Sequence, residues 1–167
     1  SNEADSELQA FVELLKNVKP PIVNWLIFHK EEMTTSEKWI SLARKYLKDY
    51  DHNSNVGSRT NVFFAELNRS IPPVEAMDFV NYSINPQVHA FDNLSLAETL
   101  SAQAETVKSA RNLSKNKHIS VSPITLKMRF NPNATAPEEN LDSTELPPQV
   151  DVMQMSLFGA AWTLGSL

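Results

Sequence analysis

Helix-like and strand-like patterns alternate along most of the 167 residues, and that alternation limits the fold more than any other feature. Residues 6–18 set Leu8, Phe11, Leu14, Leu15 and Val18 at helical spacing before Pro20-Pro21 breaks the segment. Residues 22–28, IVNWLIF, rich in β-branched and aromatic residues, read as the first strand, and they deliver His29, Lys30, Glu31 and Glu32 at their end. Thr34 and Glu37 form an S/T-x-x-E capping box, after which Trp39, Ile40, Ala43, Tyr46, Leu47 and Tyr50 trace one helical face to about Asp51. Residues 51–60, DHNSNVGSRT, read as a polar turn, and residues 62–67 as a short apolar strand.

After that strand, Pro72-Pro73 and VEAMD leave room for a short helix only. Residues 79–84 form the next strand. Ser95 and Glu98 form a second capping box, and Leu96, Leu100, Ala104, Val107, Ala110 and Leu113 continue one stripe to about Ser114. Residues 119–122 are a fourth strand, extended toward Leu126. Residues 131–149, with Pro132, Pro137, Pro147 and Pro148, read as a long loop. Asp151 caps a last helix from about Met153, with Leu157, Ala160, Ala161 and Leu164 on one face.

The order α-β-α-β-(short α)-β-α-β-α predicts an α/β fold of right-handed β-α-β units around a parallel sheet. Roughly four strands are about half of a TIM (β/α)8 barrel, which needs about 250 residues, so the chain is expected to be a single domain that is part of such a barrel. An open sheet of the flavodoxin type is the competing architecture, but the glycine-rich first turn associated with it is missing. Ser1-Asn2 resembles a protease-cleavage scar, and the chain stops at Leu167 within an apolar helical pattern, so both ends are read as cut.

Charge and composition remove several classes of function. The net charge is -5, and the 15 Lys and Arg are scattered rather than gathered into a basic stripe, which argues against nucleic acid. With zero cysteines there are no disulfides or thiolate metal sites, consistent with a cytoplasmic location. Apolar runs fall far below the roughly 20 residues that span a bilayer. The histidines show neither H-x-x-x-H nor H-x-H spacing, so no metal and no cofactor is expected.

The chemistry is expected between Thr60 and Asp92, where two apolar strands run into polar clusters; carboxyl ends of parallel strands are where α/β folds bind ligands. Glu66 is the leading catalytic carboxylate, because an apolar surround at a strand end raises a carboxyl pKa toward acid-base work; a structural salt bridge to Arg69 is the plain alternative. His89, with Asp92 to orient it, is the second catalytic candidate. His29, Glu31 and Glu32 follow the first strand as a source of another carboxylate, although such charges more often cap a helix. Asn68, Arg69, Asn85, Gln87 and Asp92 suit recognition of sugar hydroxyls, and Tyr82 suits either ring stacking or the core. Lys127 and Arg129 form a cation pair able to hold a substrate carboxylate, or else a solvated strand face.

The stretches TNVFFAELNR, SINPQVHAFDNLSLAETLSAQAETVKSAR, ISVSPITLKMRFNPNAT and LPPQVDVMQMSLFGAAWTLGSL, in this order and spacing, resemble the D-apionate lactonase family. Its (β/α)8 barrel domain is similar to those of glycoside hydrolases, and its sequence continues with another strand and a β-rich region. The resemblance covers residues 60–167 and implies part of a carbohydrate-active hydrolase acting on a sugar-acid lactone or a related carbohydrate. A glycoside hydrolase barrel and a non-catalytic carbohydrate-binding domain are the alternatives, since fold does not fix function. A part-barrel by itself is expected to be inactive and to pair through its open edges into a homodimer.

Overall fold

The computed structural model describes residues 2–29, 31–69, 73–87, 90–126 and 156–166; the side chains of Asn2, Arg59 and Asn61 are outside the description. Among the described residues five helices and four strands follow in the order α1 (Asn2–Val18), β1 (Asn24–Ile27), α2 (Glu37–Tyr50), β2 (Asn55–Phe63), α3 (Phe64–Arg69), β3 (Phe79–Ile84), α4 (Asn93–Leu113), β4 (His118–Ile124) and α5 (Leu157–Gly165), with a 3-10 turn at Val74–Ala76. The four strands form one sheet in the order β1-β2-β3-β4, and every pair is parallel. A flavodoxin-type sheet reverses direction around its first strand. Consecutive parallel order is instead the wall of a barrel, so the structure is the expected α/β arrangement of a partial TIM barrel.

Register assigns the two faces of the sheet. Trp25 pairs with Val56, Ser58 with Val80, and Tyr82 with Val121. These residues share the helix-covered face, where Ile40 of α2, Leu67 of α3 and Ala110 of α4 complete a buried core with Val56, Val80 and Tyr82. A second cluster joins Val12 and Leu15 of α1 to Ala43 and Leu47 of α2. The opposite face carries Leu26, Gly57, Phe79 and Asn81. Asn81 is fully buried there, and its Nδ2 donates to Ser122 O on β4 at 2.9 Å and to Thr60 O on β2 at 3.4 Å. Both neighbouring ladders slip register close by, between Arg59 and Phe63 and between Tyr82 and Ile84. The amide thus bonds carbonyls on both sides where the regular ladder is interrupted.

Several local expectations are corrected. The stretch read as a polar turn is mostly strand, since β2 begins at Asn55. Its polar side chains are satisfied inside the sheet layer: Ser58 Oγ donates to Ile27 O, and Thr60 Oγ1 donates to Met33 O at 2.8 Å. Residues 64–67, read as strand, open α3 instead, so Glu66 stands in the first turn of a helix. The capping box of Thr34 and Glu37 does not form; Ser36 is the N-cap of α2 without a side-chain cap, and Glu32 takes the Ser36 N–H at 2.6 Å.

The helix read as capped by Ser95 begins three residues earlier, with Asp92 as its cap: Asp92 Oδ1 accepts from Ser95 N at 3.0 Å, and Ser95 Oγ donates to Asp92 Oδ2 at 2.7 Å. Its sheet-facing side is Leu96, Gln103 and Ala110 rather than the full apolar stripe, and Ala104 is exposed. In α5 the buried residues are Gly159 and Trp162, while Leu157 and Leu164 are exposed, because the Trp162 indole lies against α4 and donates to Leu96 O at 3.0 Å. The cap proposed at Asp151 and the loop at 131–149 lie outside the described residues.

Candidate active site

All four strands run in one direction, so their carboxyl ends share one rim, and the described candidate residues after β1, β2 and β3 follow those ends. After β2, α3 turns Glu66 inward; its side chain is 10% exposed. Glu66 Oε1 lies 2.7 Å from Arg69 Nη1, and Oε2 accepts from Phe63 N at 3.2 Å, the residue just before the helix. The carboxylate therefore closes the first turn of its own helix and pairs with an arginine whose side chain is 73% exposed. The salt bridge weighed from the sequence is present, and it leaves each oxygen capacity for a further donor. Asn68 is exposed on the same helix.

After β1, His29 stacks on Trp39 of α2 with ring centroids 4.5 Å apart and an interplanar angle of 13°. The Glu31 N–H points to His29 Nδ1 at 3.4 Å. Glu32 collects the Ser36 N–H, the Ser36 hydroxyl at 3.2 Å and the Trp39 indole N–H at 2.9 Å. The Ser36 backbone bond is the main cause that holds the Glu32 carboxyl below its ordinary range, with Trp39, the Ser36 hydroxyl and His29 adding to it against partial burial. Glu32 is thereby an ionised anchor for the β1-α2 turn. Trp39 escaped the sequence reading as a site residue because its spacing fits the helical stripe equally well.

After β3, Asn85 and Gln87 follow the strand; Gln87 is buried. The buried Asn85 Oδ1 has no hydrogen-bond partner. Asn85 also borders a cleft of about 340 Å³ between α3 and α4, lined by Phe63, Phe64, Ile84 and Gln103 among others. Asp92, read as a substrate ligand, instead has both oxygens engaged by Ser95 as the α4 cap, and those bonds depress its pKa. Tyr82 is core: it is fully buried, and its hydroxyl lies 2.7 Å from Thr106 Oγ1. His89, Lys127 and Arg129 lie outside the described residues.

A cavity of about 530 Å³ runs along α2 from Glu37 to Lys48 and reaches the amino ends of β3 and β4 at Asp78 and Lys117. Its charges serve one another: Arg44 Nη2 lies 2.9 Å from Asp78 Oδ1, and Arg44 Nε donates to Ala76 O at 3.1 Å. That end of a barrel carries stability rather than chemistry. Among the described residues, no group of three His, Cys, Asp or Glu is placed to hold a metal ion, and no helix is long and apolar enough to cross a membrane.

Comparison with known proteins agrees with this architecture. The sequence model of the family described as D-apionate lactonase, TIM barrel domain, matches residues 1–167. A D-apionate lactonase from Brucella anthropi is 39% identical over 88 residues, which are 53% of this chain and 14% of that protein. The match thus spans a small part of that relative's length. No solved structure matches. With a family match over every residue and a sheet in the consecutive parallel order of a barrel wall, the chain belongs to the D-apionate lactonase TIM-barrel domain family.

Proposed function

We propose that the chain supplies part of the barrel of a hydrolase that opens a sugar-acid lactone of the D-apionolactone kind. The observation that carries this reading is Glu66, a nearly buried carboxylate at the carboxyl end of β2 in a chain of lactonase family. In the proposed reaction Glu66 takes a proton from water as the water oxygen bonds to the lactone carbonyl carbon. The tetrahedral species then collapses, the ring C–O bond breaks, and the ring oxygen leaves as a hydroxyl after receiving a proton, giving the hydroxy acid. His89 is the proposed donor of that proton. The exposed partner of Glu66 is Arg69, and its guanidinium is the proposed contact to substrate oxygens. Asn68, Gln87, His29, Glu31 and Arg129 are the proposed polar contacts to substrate hydroxyls.

The test is a comparison of sugar-acid lactones and aryl glycosides as substrates of the whole protein that carries this chain. Lactone turnover that falls about 10²- to 10⁴-fold on Glu66→Gln supports the reading. Turnover of glycosides alone, binding without turnover, or lactone turnover untouched by Glu66→Gln refutes it.

A further inference from the structure

The connection from β1 to α2 opens with a turn that a histidine closes. The Glu32 N–H donates to His29 O at 3.3 Å, the first-to-fourth residue bond of a β-turn. Inside it the Glu31 N–H donates to His29 Nδ1 at 3.4 Å. A first residue whose side chain accepts from the backbone N–H two positions on is the arrangement that asparagine and aspartate give turns. Here an imidazole has that place. Two further contacts hold it: the ring lies on Trp39 with centroids 4.5 Å apart and planes at 13°, and the His29 N–H donates to Thr35 Oγ1 at 3.2 Å.

A backbone N–H only donates, so Nδ1 offers it a lone pair and the neutral ring carries its hydrogen on Nε2. A proton added to Nδ1 removes that acceptor, because an imidazolium has donors alone. The Glu31 N–H then stands opposite another N–H. Charge around the ring decides where the cation goes. Glu32, ionised through its bonds to Ser36 and Trp39, attracts it, and the face of Trp39 receives it as well. Lys38 of α2 opposes it, with Nζ 4.4 Å from the Trp39 ring centre. Opposite charge on the same turn and a face-on indole outweigh one cation on an exposed helix position.

We propose that the β1-α2 turn is a pH-sensitive switch at the rim: neutral His29 closes it through the Glu31 N–H, and a proton on Nδ1 releases that N–H and draws the ring to Glu32. Histidine is the side chain that changes charge near neutral pH, whereas carboxyl groups titrate lower. The switch sets how the end of β1 presents Glu31, and it does not depend on the lactone reading.

The experiment follows the 167-residue chain by NMR from about pH 8 to about pH 5, reading the His29 ring nitrogens and the exchange of the Glu31 amide with water, corrected for its intrinsic pH dependence. At the upper end the ring is expected to carry its hydrogen on Nε2. As the ring titrates, the corrected Glu31 exchange should rise about fivefold with the same midpoint, the change that loss of one hydrogen bond makes. His29→Asn supplies an acceptor that takes no proton, so exchange should stay at the low value throughout; His29→Leu supplies none, so it should stay at the high value. A neutral ring with its hydrogen on Nδ1, titration of His29 with Glu31 exchange unchanged, or a step at Glu31 that persists in His29→Asn would each overturn the proposal. The first two readings use the unaltered chain and hold where a variant fails to fold.

Discussion

The ring of Phe79 lies flat against the backbone of Gly57, its partner in the β2-β3 register, so closely that a Cβ at position 57 would fall 2.4 Å from ring carbons. The contact is on the sheet face away from the helices, where Phe79 is 4% exposed and meets the His118 ring edge-on at 6.4 Å between centroids. Glycine is required here by close approach alone. Gly57→Ala is expected to push the ring out of its seat at a cost of about 1 to 3 kcal/mol. Urea unfolding would show it, and an unchanged midpoint would mean that the ring moves aside freely.

Asp78 ties the amino end of the sheet together. Its N–H donates to Val56 O and its Oδ2 accepts from Val56 N, both at 2.8 Å, while Oδ1 meets Arg44. Partial burial pushes its carboxyl pKa up, but the Val56 bond, Arg44 and Lys48 together bring it net below the ordinary value of 3.8. A depressed carboxyl contributes stability above its unfolded pKa of about 3.9 and loses it as pH falls through the lower folded value. Stability should therefore drop as pH falls below about 4. Asp78→Asn, which keeps an acceptor for Val56, should flatten that drop, and Asp78→Ala should cost about 1 to 3 kcal/mol at neutral pH by orphaning a buried N–H. An identical acid slope in wild type and Asp78→Asn would remove the assignment.

The start of α4 separates two nearly equivalent residues. Asp92→Ala removes the cap that Ser95 N requires, whereas Ser95→Ala removes only a hydroxyl bond on an exposed surface. Thermal unfolding should show Asp92→Ala as clearly the more harmful, with Ser95→Ala within about 0.5 kcal/mol of wild type. The reverse order would restore Ser95 as the cap.

Self-association is predicted from the β1 edge. Leu14 and Val18 on α1, with Val23 beside β1, are 56%, 66% and 70% exposed, and β1 pairs on one side only among the described residues. Sedimentation equilibrium of the 167-residue chain at micromolar concentration should give a mass that rises with concentration, and Leu14→Glu with Val23→Glu should lower it. A constant 18.8 kDa would exclude the homodimer.

The same chain by itself is predicted to hydrolyse no sugar lactone. A barrel site draws groups from around the ring, and four strands offer part of that set. Lactone turnover by the isolated chain that disappears on Glu66→Ala would contradict this.

Sequence alone determined the alternation of helices and strands and, through it, the parallel sheet, because β-α-β succession packs as right-handed crossovers between parallel strands. The 79–84 strand coincides with the observed Phe79–Ile84, since its residues are nearly all buried. Tertiary structure decided what local pattern left ambiguous. Asn55 to Thr60 became strand because Ser58 and Thr60 find acceptors on neighbouring segments, and no local rule anticipates a partner 27 or 31 residues away. Glu66 kept its place near a strand end but turned onto a helix, where Arg69 and the Phe63 N–H hold it. Asp92 was drawn from ligand to cap because the nearest unsatisfied donors are those of its own helix. Gln103 carried a signal, a polar residue seven positions from both Leu96 and Ala110 on the buried face of α4, but its meaning depended on Ser166, far along the chain, which accepts from its amide.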